Sequence, residues 1–148
     1  MTLAATVAVA LLGAAPASAD PGAAGSPGPS STPPFVDHAE WAQRNHLASL
    51  RVYPTASGRA AARQLGSAGP DAAEAWSEVL ALAPDANTPG MREQFFCHWD
   101  LAEVAEPGKA SWNLEPWRPV VDAAMMARSG CNPGGSEVGV PPAGGDGF

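Results

Sequence analysis

The chain is 148 residues long with a formal net charge of −7, and its eight basic residues, seven Arg and one Lys, are scattered from Arg44 to Arg128 without a cluster. A nucleic-acid binder needs a basic patch or stripe and a binder of anionic membranes a basic helix face, so this distribution excludes both classes. All five Trp and both Cys lie between two Gly/Pro-rich ends, which places the chemistry in one folded unit of about 100 residues.

Met1 to Asp20 reads as a secretory signal peptide. An apolar stretch from Leu3 to Ala15 is broken by Pro16 and followed by Ala17-Ser18-Ala19, so cleavage is predicted after Ala19. Nothing before Arg44 is basic, and the missing basic n-region leaves room for a start upstream of Met1. A membrane anchor is the alternative, but a span needs about 20 apolar residues and this run breaks sooner. Neither Cys lies near the cleavage site, so a free soluble product, secreted or held in the cell envelope, is expected. Residues 20–34, DPGAAGSPGPSSTPP, bury too little to offset their ordering entropy and read as a flexible leader. Residues 134–148 read as a flexible tail, leaving 35–133 as the folded domain.

Within that domain, Phe35 to Gln43 and Leu47 to Tyr53 flank the polar turn Arg44-Asn45-His46. The second arm alternates and stops at Pro54, as a strand does. The first arm, FVDHAEWAQ, reads as the partner strand or as a short helix capped by Asp37. Ala56 to Gly69 holds a short exposed helix or none. Pro70 to Pro84 carries the strongest helix signal: Pro at the start, Asp71 and Glu74 near the positive end of the dipole, and Ala72, Trp76, Val79, Leu80 and Ala83 on one face. Trp76 is expected to anchor that helix on a sheet.

Phe95, Cys97, Trp99 and Leu101 alternate with Phe96, His98 and Asp100, which predicts a strand from Gln94 to about Val104. The first set is assigned to the core; the second puts His98 and Asp100 side by side on the other face. Glu106 to Lys109 is a turn, Pro116 and Pro119 force extended or turn geometry around Trp117 and Arg118, and Val120 to Arg128 is a last strand or short helix. The expected fold is α+β, a small antiparallel sheet with one main helix packed on it. In an exported chain the even pair Cys97 and Cys131 reads as a disulfide, worth about 3 to 4 kcal/mol by the chain-entropy relation.

SLRVYPT at 49–55, TPGMREQFFCH at 88–98, SWNLEPWRP at 111–119 and CNP at 131–133 together resemble the bacterial family called domain of unknown function 2599, exported proteins found largely in actinobacteria. The resemblance covers most of the folded unit and implies an exported, disulfide-linked domain. It carries over no catalytic or binding residue.

Three constellations have chemical meaning. His98 beside Asp100, with Glu115 or Asp37 nearby, would suit an oriented general base, although no G-x-S-x-G elbow or phosphate loop accompanies it; a hydrogen bond on an exposed sheet face is the plainer account. The same pair with His38, His46 or Glu115 would make a zinc site, but no recognised ligand spacing supports one, so no metal and no cofactor are assigned. Trp112, Trp117, Glu115 and Arg118 lie in a Pro-braced segment that suits an interface or sugar-stacking site, the alternative being that the Trp side chains plug the core while Glu115 and Arg118 pair. The expected function is a monomeric, non-catalytic binding module with an extracellular protein or glycan partner, an inhibitor of a secreted hydrolase being one form of it. A small secreted hydrolase using His98 and Asp100 is the second reading.

Overall fold

The computed structural model describes residues 31–64 and 69–135. The predicted signal peptide (1–19), the first part of the predicted leader (20–30) and the predicted tail beyond 135 lie outside the described residues. β1 (Val36–Arg44) and β2 (Leu47–Pro54) form an antiparallel hairpin in which Arg44 faces Leu47. Asn45 and His46 turn the chain with φ of 51° and 65°, the two-residue geometry whose twist matches that of the strands. The first arm is therefore strand rather than helix, and Pro54 ends the ladder as expected. β3 (Trp112–Leu114) joins the far side of β2, again antiparallel, giving the order β1-β2-β3.

α1 (Ala56–Ala62) forms because Thr55 caps it, its hydroxyl accepting the N–H of Gly58 at 2.9 Å. It is not an exposed helix: Gly58, Ala61 and Ala62 are buried. α2 (Pro70–Leu82) stands where the apolar spacing puts it, with Ala72, Ala75, Trp76 and Val79 inward. α4 (Ala123–Arg128) settles the last segment as helix, its first turn capped by Asp122, which accepts the N–H of Met125 at 2.7 Å.

The run from Gln94 to Val104 is not a strand. It belongs to α3 (Met91–Ala105), and its buried residues, Met91, Gln94, Phe95, His98, Trp99, Ala102 and Glu103, recur every three or four positions. Alternation at 95, 97, 99 and 101 mimics a strand because three inward positions hold Gln94, His98 and Glu103, which hide the apolar stripe. The helix also starts without a side-chain cap, at Gly90 with φ 84°, so the usual start signal is missing. In place of one main helix on the sheet there are two, α2 and α3.

The core lies between those helices and one face of the sheet. Leu50 and Val52 point into it and Arg51 and Tyr53 away, as the two-residue period of a strand requires. Phe95 is its hub, with ring centroids 5.5 Å from Trp76, 5.9 Å from Trp112 and 6.2 Å from Trp99. Phe35 meets Trp99 edge-on at 5.7 Å. So Trp76 anchors α2 against α3 as much as against the sheet. The start of β1 is tied to α2 by the Glu78 carboxylate, which accepts the N–H groups of Phe35 and Val36 at 2.8 and 2.7 Å. Upstream, Thr32 exchanges two hydrogen bonds with Ser57 of α1.

α1 packs so closely on this start that a Cβ at Gly58 would lie 2.2 Å from the carbonyl oxygen of Phe35, a backbone atom, whereas a Cβ at Gly69 would meet nothing within 4 Å. Urea denaturation should therefore show Gly58→Ala destabilising by about 1 to 3 kcal/mol. A change of less than about 0.5 kcal/mol, as at an unconstrained surface position, would contradict this packing.

Candidate functional site

Residues two apart on a helix do not face each other, so α3 parts the pair that a strand would join. His98 is buried, and its Nε2 donates to the carbonyl of Asn113 at 3.1 Å, which commits that nitrogen's hydrogen to β3. Asp100 is exposed and lines a cleft against α4, while His98 borders the neighbouring cleft beside Ala127 and Cys131. Asp37 pairs with His38 instead, at 2.6 Å on the exposed outer hairpin, where the His38 ring stacks on Tyr53 at 4.1 Å. His46 sits in the hairpin turn. The hydrolytic set His98, Asp100 and Glu115 is thus not brought together, and among the described residues no three His, Cys, Asp or Glu side chains converge on a possible metal position.

The aromatic segment is internal as well. Trp112 and Leu114 belong to the core, and Glu115 and Arg118, both fully buried side chains, pair with each other. The Arg118 guanidinium also donates to the carbonyls of Pro133 and Gly135 at 3.0 and 2.8 Å and lies 4.6 Å from the ring centre of Trp117. Gln94 of α3 closes the same knot: its side-chain amide accepts from the N–H of Glu115 at 2.9 Å and donates to the Glu115 carbonyl at 3.0 Å. Of the four residues proposed for recognition, only Trp117 keeps partial exposure, so the segment offers no exposed Trp pair with a charged rim.

A second buried acid is treated the same way. Glu103, at the far end of α3, receives Arg59 of α1 at 2.5 Å and Arg63, which caps the end of α1, at 2.9 Å, and Arg59 goes on to the Lys109 carbonyl at 2.5 Å. These charges tie elements together and are consumed in doing so.

The concave surface lies elsewhere, between α3 and α4. A cleft of about 280 Å³ is floored by Phe96, Leu101, Val121 and Met126, with Glu93 and Asp100 at its edge. A second cleft of about 310 Å³ continues from it past Val104 toward Lys109. Leu101 and Ala127 line both, Cys97 lines one and Cys131 the other, so the two form one groove across the disulfide, which is closed as expected with Cα atoms 5.5 Å apart. Leu101, Val104, Val120 and Met125 are the large apolar side chains left exposed on or around it. The partial burial of Asp100 in this setting raises its carboxyl above the ordinary value. No sequence motif marks this groove. Its signals are the spacing of Glu93, Phe96, Cys97, Asp100, Leu101 and Val104 on one helical stripe, and the Asp122 cap before Met125 and Met126.

No described helix is long and apolar enough to cross a membrane. Comparison with known proteins matches residues 36–134 to the family described as Protein of unknown function (DUF2599). Two uncharacterized proteins, of Mycobacterium tuberculosis and Mycobacterium bovis, are each 57% identical over 143 residues, covering 93% of this chain and 95% of theirs. One of Mycobacterium leprae is 49% identical over 104 residues, 70% of this chain and 83% of its own. No solved structure matches the chain.

Removing one member of a buried ion pair typically costs about 3 to 5 kcal/mol, because the other is left uncompensated. Arg118→Met should lose that much in urea denaturation, while Glu115→Leu combined with Arg118→Met should lose less than the sum of the single variants. Additive losses would mean that the two side chains do not act as a pair.

Proposed function

The chain belongs to the DUF2599 family, and from that premise we propose that it is a non-catalytic binding module that works outside the cytoplasmic membrane and takes a protein partner in the groove between α3 and α4. The observation that carries this reading is the division of labour among the side chains. The chemically reactive residues of the core, His98, Glu103, Glu115 and Arg118, are engaged in holding the fold, His98 doing so while it borders the second cleft, whereas the first cleft presents apolar side chains and the carboxylates of Glu93 and Asp100, which enter no ion pair among the described residues. Exposed apolar surface arranged around a concavity is what interaction sites look like on otherwise polar domains. A protein suits it better than a glycan, since Phe96 is the one Phe, Tyr or Trp side chain lining it among the described residues, the other large apolar ones are aliphatic or Met, and the half-buried Trp117 lies outside the groove lining. The location rests on the signal-peptide pattern of residues 1–19 and on a disulfide that an oxidising compartment preserves.

Asp100 gives this reading a sharp test. Its raised carboxyl means that the folded state holds the proton more tightly than the unfolded one, so its ionisation lowers stability as pH rises through the region just above the ordinary carboxylate value. Asp100→Asn should accordingly raise Tm slightly at pH 7 and leave it unchanged at a pH where both states are protonated. In pull-downs from culture medium and envelope fractions, a partner retained by the wild type and by Trp117→Ala should be lost with Leu101→Gln. The combination of a stabilising change and a binding face is typical of residues kept for function. If Trp117→Ala abolished retention and Leu101→Gln did not, the working surface would be the Pro-braced segment instead. Mass spectrometry of the exported protein should find a chain starting at Asp20 and two hydrogens lighter than its reduced form.

A further inference from the structure

Glu93, Phe96 and Asp100 stand at i, i+3 and i+7 on α3 and therefore on one stripe, with a carboxylate on each side of an aromatic ring. Both carboxylates line the cleft whose floor is Phe96, Leu101, Val121 and Met126. Among the described residues neither acid has an ion-pair or hydrogen-bond partner. Of the nearby cations, the Arg92 guanidinium lies 4.2 Å from the ring centre of Phe96, Lys109 pairs with Glu106 at 3.3 Å, and Arg128, in the last turn of α4, forms no ion pair with either acid. The cleft thus combines an apolar floor with two carboxylates that form no ion pair among the described residues.

Resting on the reading that this groove is the binding face, we infer that it takes a basic, apolar peptide segment, with an aliphatic side chain seated on Phe96, Leu101 and Met126 and an Arg or Lys held between Glu93 and Asp100. Charge complementarity selects this occupant over the alternatives within the chain. The segment 134–148 offers Val138, Val140 and Phe148, but its charged side chains are Glu137 and Asp146, both of the wrong sign. A second copy is disfavoured for the same reason, the chain carrying −7 overall. The two clefts, of about 280 and 310 Å³, adjoin along α3, which suits successive side chains of an extended partner. The long stem of Arg or Lys suits the groove too, since the methylenes lie on apolar surface while the charge reaches the edge.

The test uses the exported protein with an acetylated, amidated hexapeptide of four leucines and two arginines, and its counterpart with citrulline at both arginine positions, followed by amide shifts in NMR. The arginine peptide should shift residues 93–104 and 121–127, bind at least about tenfold more tightly than the citrulline peptide, a difference of about 1.4 kcal/mol, and lose at least that factor in the Glu93→Gln/Asp100→Asn variant. Its affinity should also fall as salt rises. Equal binding of both peptides in the groove, or binding unchanged in the double variant, overturns cation recognition while leaving the groove as the binding face. Shifts confined to another surface, or none with either peptide, overturn both.

Discussion

Arg118 is a charge held inside this domain, and what it is bonded to decides where the last third of the chain goes. Its guanidinium meets the Glu115 carboxylate and reaches the backbone carbonyls of Pro133 and Gly135, so it joins the segment after β3 to the chain beyond α4. Gln94 fixes that segment to α3 by pairing with both backbone groups of Glu115. The Cys97–Cys131 bridge adds a covalent tie from α3 to the same end. α4 itself is only six residues long and buries one side chain, Met126. A helix that short has little stability of its own, and it forms one wall of the groove because these ties hold the chain on either side of it.

This arrangement explains which parts of the fold were legible in the sequence. α2 was readable because its inward residues, Ala72, Ala75, Trp76 and Val79, are all apolar and Pro70 marks its start. β2 was readable because Leu50 and Val52 alternate with Arg51 and Tyr53 before Pro54. α3 was not, because the side chains that make it work as a hub, Gln94, His98 and Glu103, are polar residues at inward positions. They are stable there because each has a partner far along the chain: the Glu115 backbone, the Asn113 carbonyl, and Arg59 with Arg63. Burial of polar groups is tolerated when they are satisfied, but the partner is invisible to a periodicity argument confined to one segment.

The candidate site was hidden for a related reason. The residues that draw the eye as chemistry, His98 and the SWNLEPWRP segment, are unusual because of structural duties: Trp112 and Leu114 fill the core and Glu115 and Arg118 neutralise one another. The groove residues, among them Phe96, Leu101 and Met126, look ordinary, and they become a surface only when α4 is laid beside α3. Disulfide, ion pair and amide bridge therefore act on the proposed binding face indirectly, by fixing the distance between the two helices whose side chains line the groove.

The dependence of the groove on those ties is tested most directly by native-state hydrogen exchange. The amides of Met126, Ser129, Gly130 and Cys131 are hydrogen-bonded within and just after α4. If the C-terminal third is locked to α3, they exchange only through global unfolding, with the same opening free energy as the amides of α3 and β2. If they exchange through a separate opening of low free energy while α3 stays protected, α4 is not fixed against α3 and the groove is not a preformed site.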